Sequence, residues 1–260
     1  MMDKLASGAA ELGFYLNSTQ LQQFETYYRL LVDWNQRINL TAITGYEEVQ
    51  VKHFLDSLTV IPALKSIYLD KSLNVIDVGT GAGLPGLPLK IAFPEITLTL
   101  LEATAKKVRF LEQLIAELGL KSVTTISRRA EEAAHDPEYR EKYDIALARA
   151  VAGLPTLAEL ALPFCRINGC FIAQKKGEII ITTELALPVC RTTISAGGEL
   201  AREITQAQQA INIVGGSLRE IKPITINEFN DGRCLLIIDK VKPTPAQYPR
   251  RPGMPEKRPL

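Results

Sequence analysis

The chain has 260 residues, of which 46% are apolar and 23% charged, with a formal net charge of +1. This is ordinary globular composition, enough for one large domain or for one average domain with a small one appended, and it excludes collagenous and wholly disordered chains. No window approaches the roughly 18 consecutive apolar residues of a membrane helix, and Asp3 and Glu11 fall where a secretory signal is apolar, so a cytoplasmic protein without a membrane partner is expected.

In chain order, the first seventy residues read as helical. Leu21, Phe24, Tyr28 and Leu31 form a stripe at helical spacing, with Ser18 or Thr19 as the cap. A second helix is expected over residues 47–64, with Val51, Phe54, Leu55 and Leu58 on its apolar face. From residue 73 onward, short apolar runs at 73–78, 96–101, 123–126, 143–148 and 170–174 alternate with amphipathic stretches at 87–93 and 104–118. Unbroken Val, Ile and Leu runs mark strands buried on both faces, as in parallel sheets covered by helices. The order predicts an α/β fold with a doubly wound, mostly parallel sheet and an N-terminal helical extension. Expected boundaries are 1–70 for the extension, 71–240 for the α/β domain and 241–260 for a tail. The tail holds Lys242, Arg250, Arg251, Lys257 and Arg258 against one acid, Glu256, and six of the fifteen prolines. No regular helix or strand is expected in it, and it reads as a solvated extension or a contact for phosphates.

Cys165, Cys170, Cys190 and Cys234 show no Cys-x-x-Cys spacing and read as reduced. The two histidines, His53 and His135, have no acids at ligand spacing, so no metal site is expected.

The strongest chemical signal follows the first predicted strand, in Val75-Ile76-Asp77-Val78-Gly79-Thr80-Gly81-Ala82-Gly83-Leu84-Pro85-Gly86. Alternating glycines let a ligand approach the backbone where a Cβ would obstruct it, and a strand before and a helix after give the motif its meaning. Gly81, Gly83 and Gly86 also satisfy the dinucleotide fingerprint. Asp77 is an unhelpful charge beside a pyrophosphate but a sensible partner for an ammonium or a nearby cation. Pro85 removes a backbone donor from the turn where a pyrophosphate would bind. S-adenosylmethionine, a nucleoside without phosphates, suits the loop better. Glu102, ending the second strand 21 residues after Gly81, can accept ribose hydroxyls in either cofactor, or serve as a first-turn acid of the next helix. Ala130 and Glu131, after the third strand, lie where an adenine edge is expected.

The segments Trp34-Asn35-Gln36-Arg37-Ile38-Asn39-Leu40-Thr41, His53-Phe54-Leu55-Asp56-Ser57-Leu58, the glycine loop and Lys107-Val108-Arg109-Phe110-Leu111 resemble, in this order, the ribosomal RNA small-subunit methyltransferase G family, also called glucose-inhibited division protein B. The likeness spans about residues 15–240, and the tail is similar to that of longer members. The resemblance implies a Rossmann-like class I methyltransferase that moves a methyl group from S-adenosylmethionine to N7 of a guanine in 16S ribosomal RNA of the small subunit. It carries cofactor contacts onto Gly79, Leu84, Glu102, Ala103, Thr104, Ala130, Glu131 and Arg149, beside Asp77, Gly81 and Gly83 from the spacing; the Arg149 guanidinium could pair with the methionine carboxylate or reach the RNA, with a structural ion pair as the alternative. Guanine N7 presents a lone pair and loses no proton, so alignment suffices and no catalytic base is assigned. After the fourth strand the chain reads Ala148-Arg149-Ala150-Val151, without the Asn or Asp and prolines of amino-group methylases. His53 and Asp56 are candidates for positioning the RNA, with a satisfied core histidine as the alternative. Lys175 matches a basic family position, although Lys176 stands where Gly is frequent. Arg128, Arg129, Lys175, Lys176, Arg250 and Arg251 make a candidate phosphate rim, with a solvated charged face as the alternative. Two other functions stay open: an NAD-dependent oxidoreductase, and a non-catalytic RNA-binding assembly factor.

Overall fold

A computed structural model describes residues 2–67, 73–149, 152–186, 189–229 and 231–260. The expected boundary at 70/71 and the quoted Ala150 and Val151 lie outside the described residues. The chain opens with α1 (Asp3–Glu11), α2 (Ser18–Asn35), α3 (Tyr46–Val49), a π-helical turn (Gln50–Leu55), α4 (Asp56–Leu58) and α5 (Ile61–Ile67). The cap of α2 is Asn17, one residue before the expected position. Its side chain accepts the Gln20 N–H while Gln20 accepts the Asn17 N–H, both at 2.9 Å, a reciprocal box that satisfies two otherwise orphaned donors. The inward face of α2 carries Gln20, Phe24, Tyr27 and Leu31, whereas Leu21 and Tyr28 are half-buried. The single helix expected over 47–64 is instead widened by the π-helical turn and broken at Thr59 and Val60.

The α/β part runs β1 (Asn74–Val78), α6 (Gly86–Ala92), β2 (Thr97–Leu101), α7 (Ala105–Glu117), β3 (Val123–Ile126), α8 (Ala130–Ala133), β4 (Tyr143–Arg149), α9 (Leu154–Ala161), a 3-10 turn (Leu162–Phe164) and β5 (Cys165–Lys176). It continues with β6 (Ile179–Ala186), β7 (Val189–Ala196), α10 (Gly198–Ile213), β8 (Gly216–Pro223), β9 (Arg233–Lys240) and α11 (Met254–Lys257). The main sheet has the order β3-β2-β1-β4-β5-β9-β8, and β6 pairs with β7 alone. The first five strands are parallel, while β9 runs antiparallel to both β5 and β8. This is the doubly wound, mostly parallel sheet that the apolar runs predict.

Alternation within those runs explains why they are unbroken. Val75, Ile145, Leu147, Cys170, Ile172, Leu235 and Ile237 pack on one face with α1, α2, α6 and α7. Ile76, Val78, Ala146, Ala148, Phe171, Ala173, Leu236 and Ile238 pack on the other with α8, α9 and α10. Both faces are covered, so both parities of each strand are apolar. Phe24, Tyr27, Phe54 and Leu55 share the first core with the sheet, which brings the π-helical turn up to the sheet edge. Crossovers reverse direction between β1 and β4, and the crevice beyond the carboxyl ends of strands at such a switch point is where open α/β sheets bind ligands.

The tail departs from expectation. Pro255 occupies one of the first two positions of α11, where a missing N–H costs no intrahelical bond, so a short helix persists among the prolines. Tyr248 and Leu260 pack against the second core, and the segment is docked. Among the described residues, no helix is long and apolar enough to cross a membrane. Cys165, Cys170 and Cys234 are free and buried. The Cys190 side chain is not among those described.

Candidate functional site

A cavity of about 550 Å³ opens at the carboxyl ends of β1, β2 and β4. The turn after β1 forms its floor. Gly79 and Gly81 have φ of 72° and 59°, left-handed values that glycine adopts without strain. A Cβ built on Gly81 meets only the Gly79 carbonyl, 4.0 Å away, so the backbone lies open to the cavity, a cradle that a side chain would fill.

The other glycines of the motif serve packing. A Cβ on Gly83 falls 2.5 Å from Leu87 and 2.7 Å from the Tyr27 hydroxyl, and one on Gly86 falls 2.9 Å from Asp77. Gly83, expected at the cofactor, lets α2 and α6 close on the loop instead. Tyr27, fully buried, donates its hydroxyl hydrogen to the Ala82 carbonyl at 2.5 Å and pins the loop from α2.

Asp77 requires a second correction. Expected to face an ammonium of the cofactor, it is fully buried and turned away from the cavity. Its Oδ2 accepts the Thr80 hydroxyl at 2.6 Å and the Gly86 N–H at 2.8 Å, while Oδ1 is buried without a partner. Burial pushes its carboxyl up to about 6, against the pull of the Thr80 and Gly86 hydrogen bonds. Strand parity is the reason: Asp77 follows Val75 onto the face covered by α6, and its carboxylate takes a donor at the start of that helix.

Glu102 stands at the cavity. Its Oε2 accepts the Gly81 N–H at 3.1 Å and its Oε1 the Thr104 N–H at 2.8 Å. The two bonds fix the carboxylate between the glycine loop and the start of α7. Leu84, Ala103, Thr104, Ala130, Glu131 and Arg149 also border the cavity, with Gly79 and Gly81. Glu131 borders the cavity, and one of its oxygens, Oε1, accepts the Gly253 N–H at 2.9 Å.

Arg149 pairs with Asp56 at 2.8 Å and donates to the His53 carbonyl at 3.2 Å, and Arg233 closes on the other oxygen of Asp56. His53 and Arg149 border both this cavity and a neighbouring one of about 350 Å³, which Asp56, Lys175 and Arg233 also line. The Thr41 hydroxyl lies 2.7 Å from His53 Nε2, and the Lys52 carbonyl 3.2 Å from Nδ1. Burial, then the Arg149 charge, lowers the imidazole to about 4, so it is neutral at physiological pH.

Much of the expected phosphate rim is engaged. Lys175 pairs with Glu203 at 2.6 Å, Lys176 with Asp231 at 2.8 Å and Arg128 with Asp136 at 2.8 Å. Arg250 lies on Glu159, whose side chain is fully buried, through Nε at 2.9 Å and Nη2 at 2.6 Å. It is an anchor of the tail, because a buried carboxylate demands a charged partner. Arg129 and Arg251 are exposed.

Sequence reasoning overlooked the wall made by Gly253, Pro255 and Glu256, and Leu40, Thr41, Lys107 and Thr156 as lining residues. Leu40, Thr41 and Lys107 fall within the family segments, which was the available signal. Gly253 and Pro255 fall in the tail that resembles that of longer members, a signal of kinship that did not indicate a place at the cavity. Among the described residues, no group of three or more His, Cys, Asp or Glu side chains could hold a metal ion.

A sequence model of the family described as rRNA small subunit methyltransferase G matches residues 20–186. The protein named Ribosomal RNA small subunit methyltransferase G from Dehalococcoides mccartyi (strain ATCC BAA-2100) is 49% identical over 259 residues, covering 100% of each chain. Its namesake from Alkaliphilus metalliredigens is 45% identical over 98% of this chain and 97% of its own. In fold, the chain is similar to MtNAS, solved in complex with MTA and tNA, with a TM-score of 0.50 at 10% identity over 84% of this chain and 74% of that one.

Proposed function

The chain belongs to the rRNA small subunit methyltransferase G family, and from that premise we propose that it transfers a methyl group from S-adenosylmethionine to N7 of a guanine in 16S ribosomal RNA, in the cytoplasm, on the small subunit or its RNA. The observation that carries the reading is where the Asp77 carboxylate points. It takes the Gly86 N–H at 2.8 Å, and Pro85 offers no N–H, so the start of α6 presents a buried carboxylate where a dinucleotide needs donors for its pyrophosphate. That disfavours NAD. The open Gly81 backbone and the Glu102 carboxylate fit a nucleoside without phosphates.

S-adenosylmethionine supplies an electrophilic methyl on a sulfonium. Glu102 suits the ribose hydroxyls, as an acceptor prealigned by Gly81 and Thr104, and Gly79 and Gly81 leave room for close approach. Arg149 and His53 stand between the two cavities and are placed to align the guanine. The neutral imidazole adds no charge beside the reacting centre. Transfer to N7 releases no proton, so the chain's task is positioning and exclusion of water. Calorimetry with S-adenosylmethionine and with NAD, followed by tritiated-methyl transfer to 16S RNA and to small subunits with mapping of the labelled base, tests this. Label at a guanine N7 is expected. Binding of NAD alone supports the oxidoreductase, and cofactor and RNA binding without transfer supports an assembly factor.

A further inference from the structure

The C-terminal segment borders the cavity at Gly253, Pro255 and Glu256 and is fastened at every few residues. Arg140 donates to the carbonyls of Thr244 at 2.8 Å and Tyr248 at 2.9 Å, and His135 Nε2 donates to that of Pro249 at 2.7 Å. Arg250 lies on the buried Glu159, the Gly253 N–H on Glu131, and the Thr156 hydroxyl on the Pro255 carbonyl at 2.9 Å. These contacts place Gly253, Pro255 and Glu256 as one wall of the cavity that holds Gly81 and Glu102. On the same short segment Arg251, Lys257 and Arg258 are exposed.

Resting on the methyltransferase reading, we infer that residues 250–258 form a two-sided strap, whose inner residues enclose the cofactor and whose exposed cations meet the phosphates of the substrate RNA, so that each ligand tightens the other. Arg250 on the buried Glu159 is the fixed end of the segment, whereas residues 253–258 are held by single hydrogen bonds at Gly253 and Pro255, the kind of contact that opens at lower cost than a packed core. Phosphates on Arg251, Lys257 and Arg258 favour one strap position electrostatically. The wall residues and the cations share one short segment, so the position that phosphates hold is the one that encloses the cofactor, and the coupling is reciprocal: RNA slows cofactor release by the same linkage through which cofactor strengthens RNA binding.

The test measures stopped-flow release of S-adenosylhomocysteine, with and without a 16S RNA transcript, from the full chain, from a chain ending at Pro249, and from the triple variant Arg251→Ala, Lys257→Ala, Arg258→Ala. The shortened chain should release the ligand about tenfold faster, the equivalent of one lost hydrogen bond or its like in apolar contact, and RNA should no longer slow it. The triple variant should match the full chain without RNA yet lose the RNA effect. Should the shortened chain not fold, Gly253→Pro takes its place: it removes the N–H that reaches Glu131 and cannot hold the φ of 79° found there, so it displaces the strap while leaving Glu159 paired. Unchanged release from the strap-displaced protein overturns the enclosing role, and RNA slowing release from the triple variant as much as from the full chain overturns the coupling. A full chain that neither binds S-adenosylhomocysteine nor methylates RNA defeats the methyltransferase reading itself, a result distinguishable from failure of the strap.

Discussion

Replacing Glu102 with Gln tests the cofactor site more sharply than removing the side chain. Both carboxylate oxygens accept backbone N–H groups, from Gly81 at 3.1 Å and from Thr104 at 2.8 Å. Gln keeps the size but has one acceptor oxygen, so its NH₂ must confront one of those donors. If the oxygen stays on Thr104, the amide hydrogens meet the Gly81 N–H and push the glycine loop away. If it turns to Gly81, the start of α7 loses its partner. Either way the acceptor for a ribose hydroxyl is displaced. A hydrogen bond to a charged acceptor contributes about 1.5–3 kcal/mol, so S-adenosylmethionine affinity should fall roughly 10- to 150-fold. Glu102→Ala should cost a similar amount. Thermal stability should change little in either variant, since the two N–H groups released face an open cavity where water can reach them. Titration calorimetry with S-adenosylmethionine reads the affinity and calorimetric unfolding the stability. Wild-type affinity in Glu102→Gln would refute the assignment of this carboxylate to the cofactor.

Asp77 predicts a pH dependence of stability. Its carboxyl, ordinarily at 3.8, lies near 6 in the fold, so the native state holds its proton more tightly than the unfolded chain, and stability present below the ordinary value is lost as pH rises through about 6. The stability of Asp77→Asn relative to the parent should therefore rise by about 2 kcal/mol between about pH 4.5 and about pH 7.5, measured by urea unfolding across that range, and a difference independent of pH sinks the assignment. Gly81→Val should abolish S-adenosylmethionine binding in a protein that still folds, because its side chain enters the open cavity, at a backbone cost of roughly 1–2 kcal/mol for the left-handed φ. Gly83→Ala should chiefly lower the melting temperature, because its Cβ strikes Leu87 and Tyr27. Normal calorimetric binding in the first, or an unchanged melting temperature in the second, contradicts the division of roles between the two glycines.

The fold was legible where burial is symmetric. Apolar runs such as residues 143–148 have both parities filled because both sheet faces are covered, and they report strands without any long-range information. The same criterion would also have flagged residues 234–238 in β9, but β8 is an edge strand with mixed burial and carries no such pattern. In the candidate site, the glycine loop and Glu102 could be read because their meaning depends on neighbours within one βαβ unit. The direction of Asp77 could not. A motif gives the residue's place along the strand, while the side it faces depends on which helices cover each face. The docking of the tail was missed for a related reason. Its partners, Glu131 and Glu159, lie 122 and 91 residues away from Gly253 and Arg250, and isolated acids in helices give no local sign of being buried. Composition left a solvated extension or a contact for phosphates, and could not show a docked segment, because the acids that anchor it are contributed by α8 and α9.

The pairing of the rim cations bears on how the protein would grip RNA. Arg128–Asp136 and Lys176–Asp231 are between about a third and three-fifths exposed at each partner, and ion pairs of this kind contribute about 0–1 kcal/mol. A phosphate can replace such an acid at small cost. Lys175–Glu203 is more enclosed, and Lys175 also donates to the Ala152 carbonyl at 3.2 Å, so its exchange is costlier. Arg250 is committed to a carboxylate with no access to solvent and is not exchangeable without leaving a buried charge. The cations able to meet phosphate at least cost are therefore those without an enclosed acid beside them, and on the tail, among the described residues, these are Lys242 and, on the segment 250–258, Arg251, Lys257 and Arg258. The last three sit within a few residues of Gly253 and Pro255. Exposed cations of the tail are thus covalently continuous with a wall of the cavity that holds Gly81 and Glu102, and the proposed strap predicts that cofactor affinity and RNA affinity in this chain are not independent quantities.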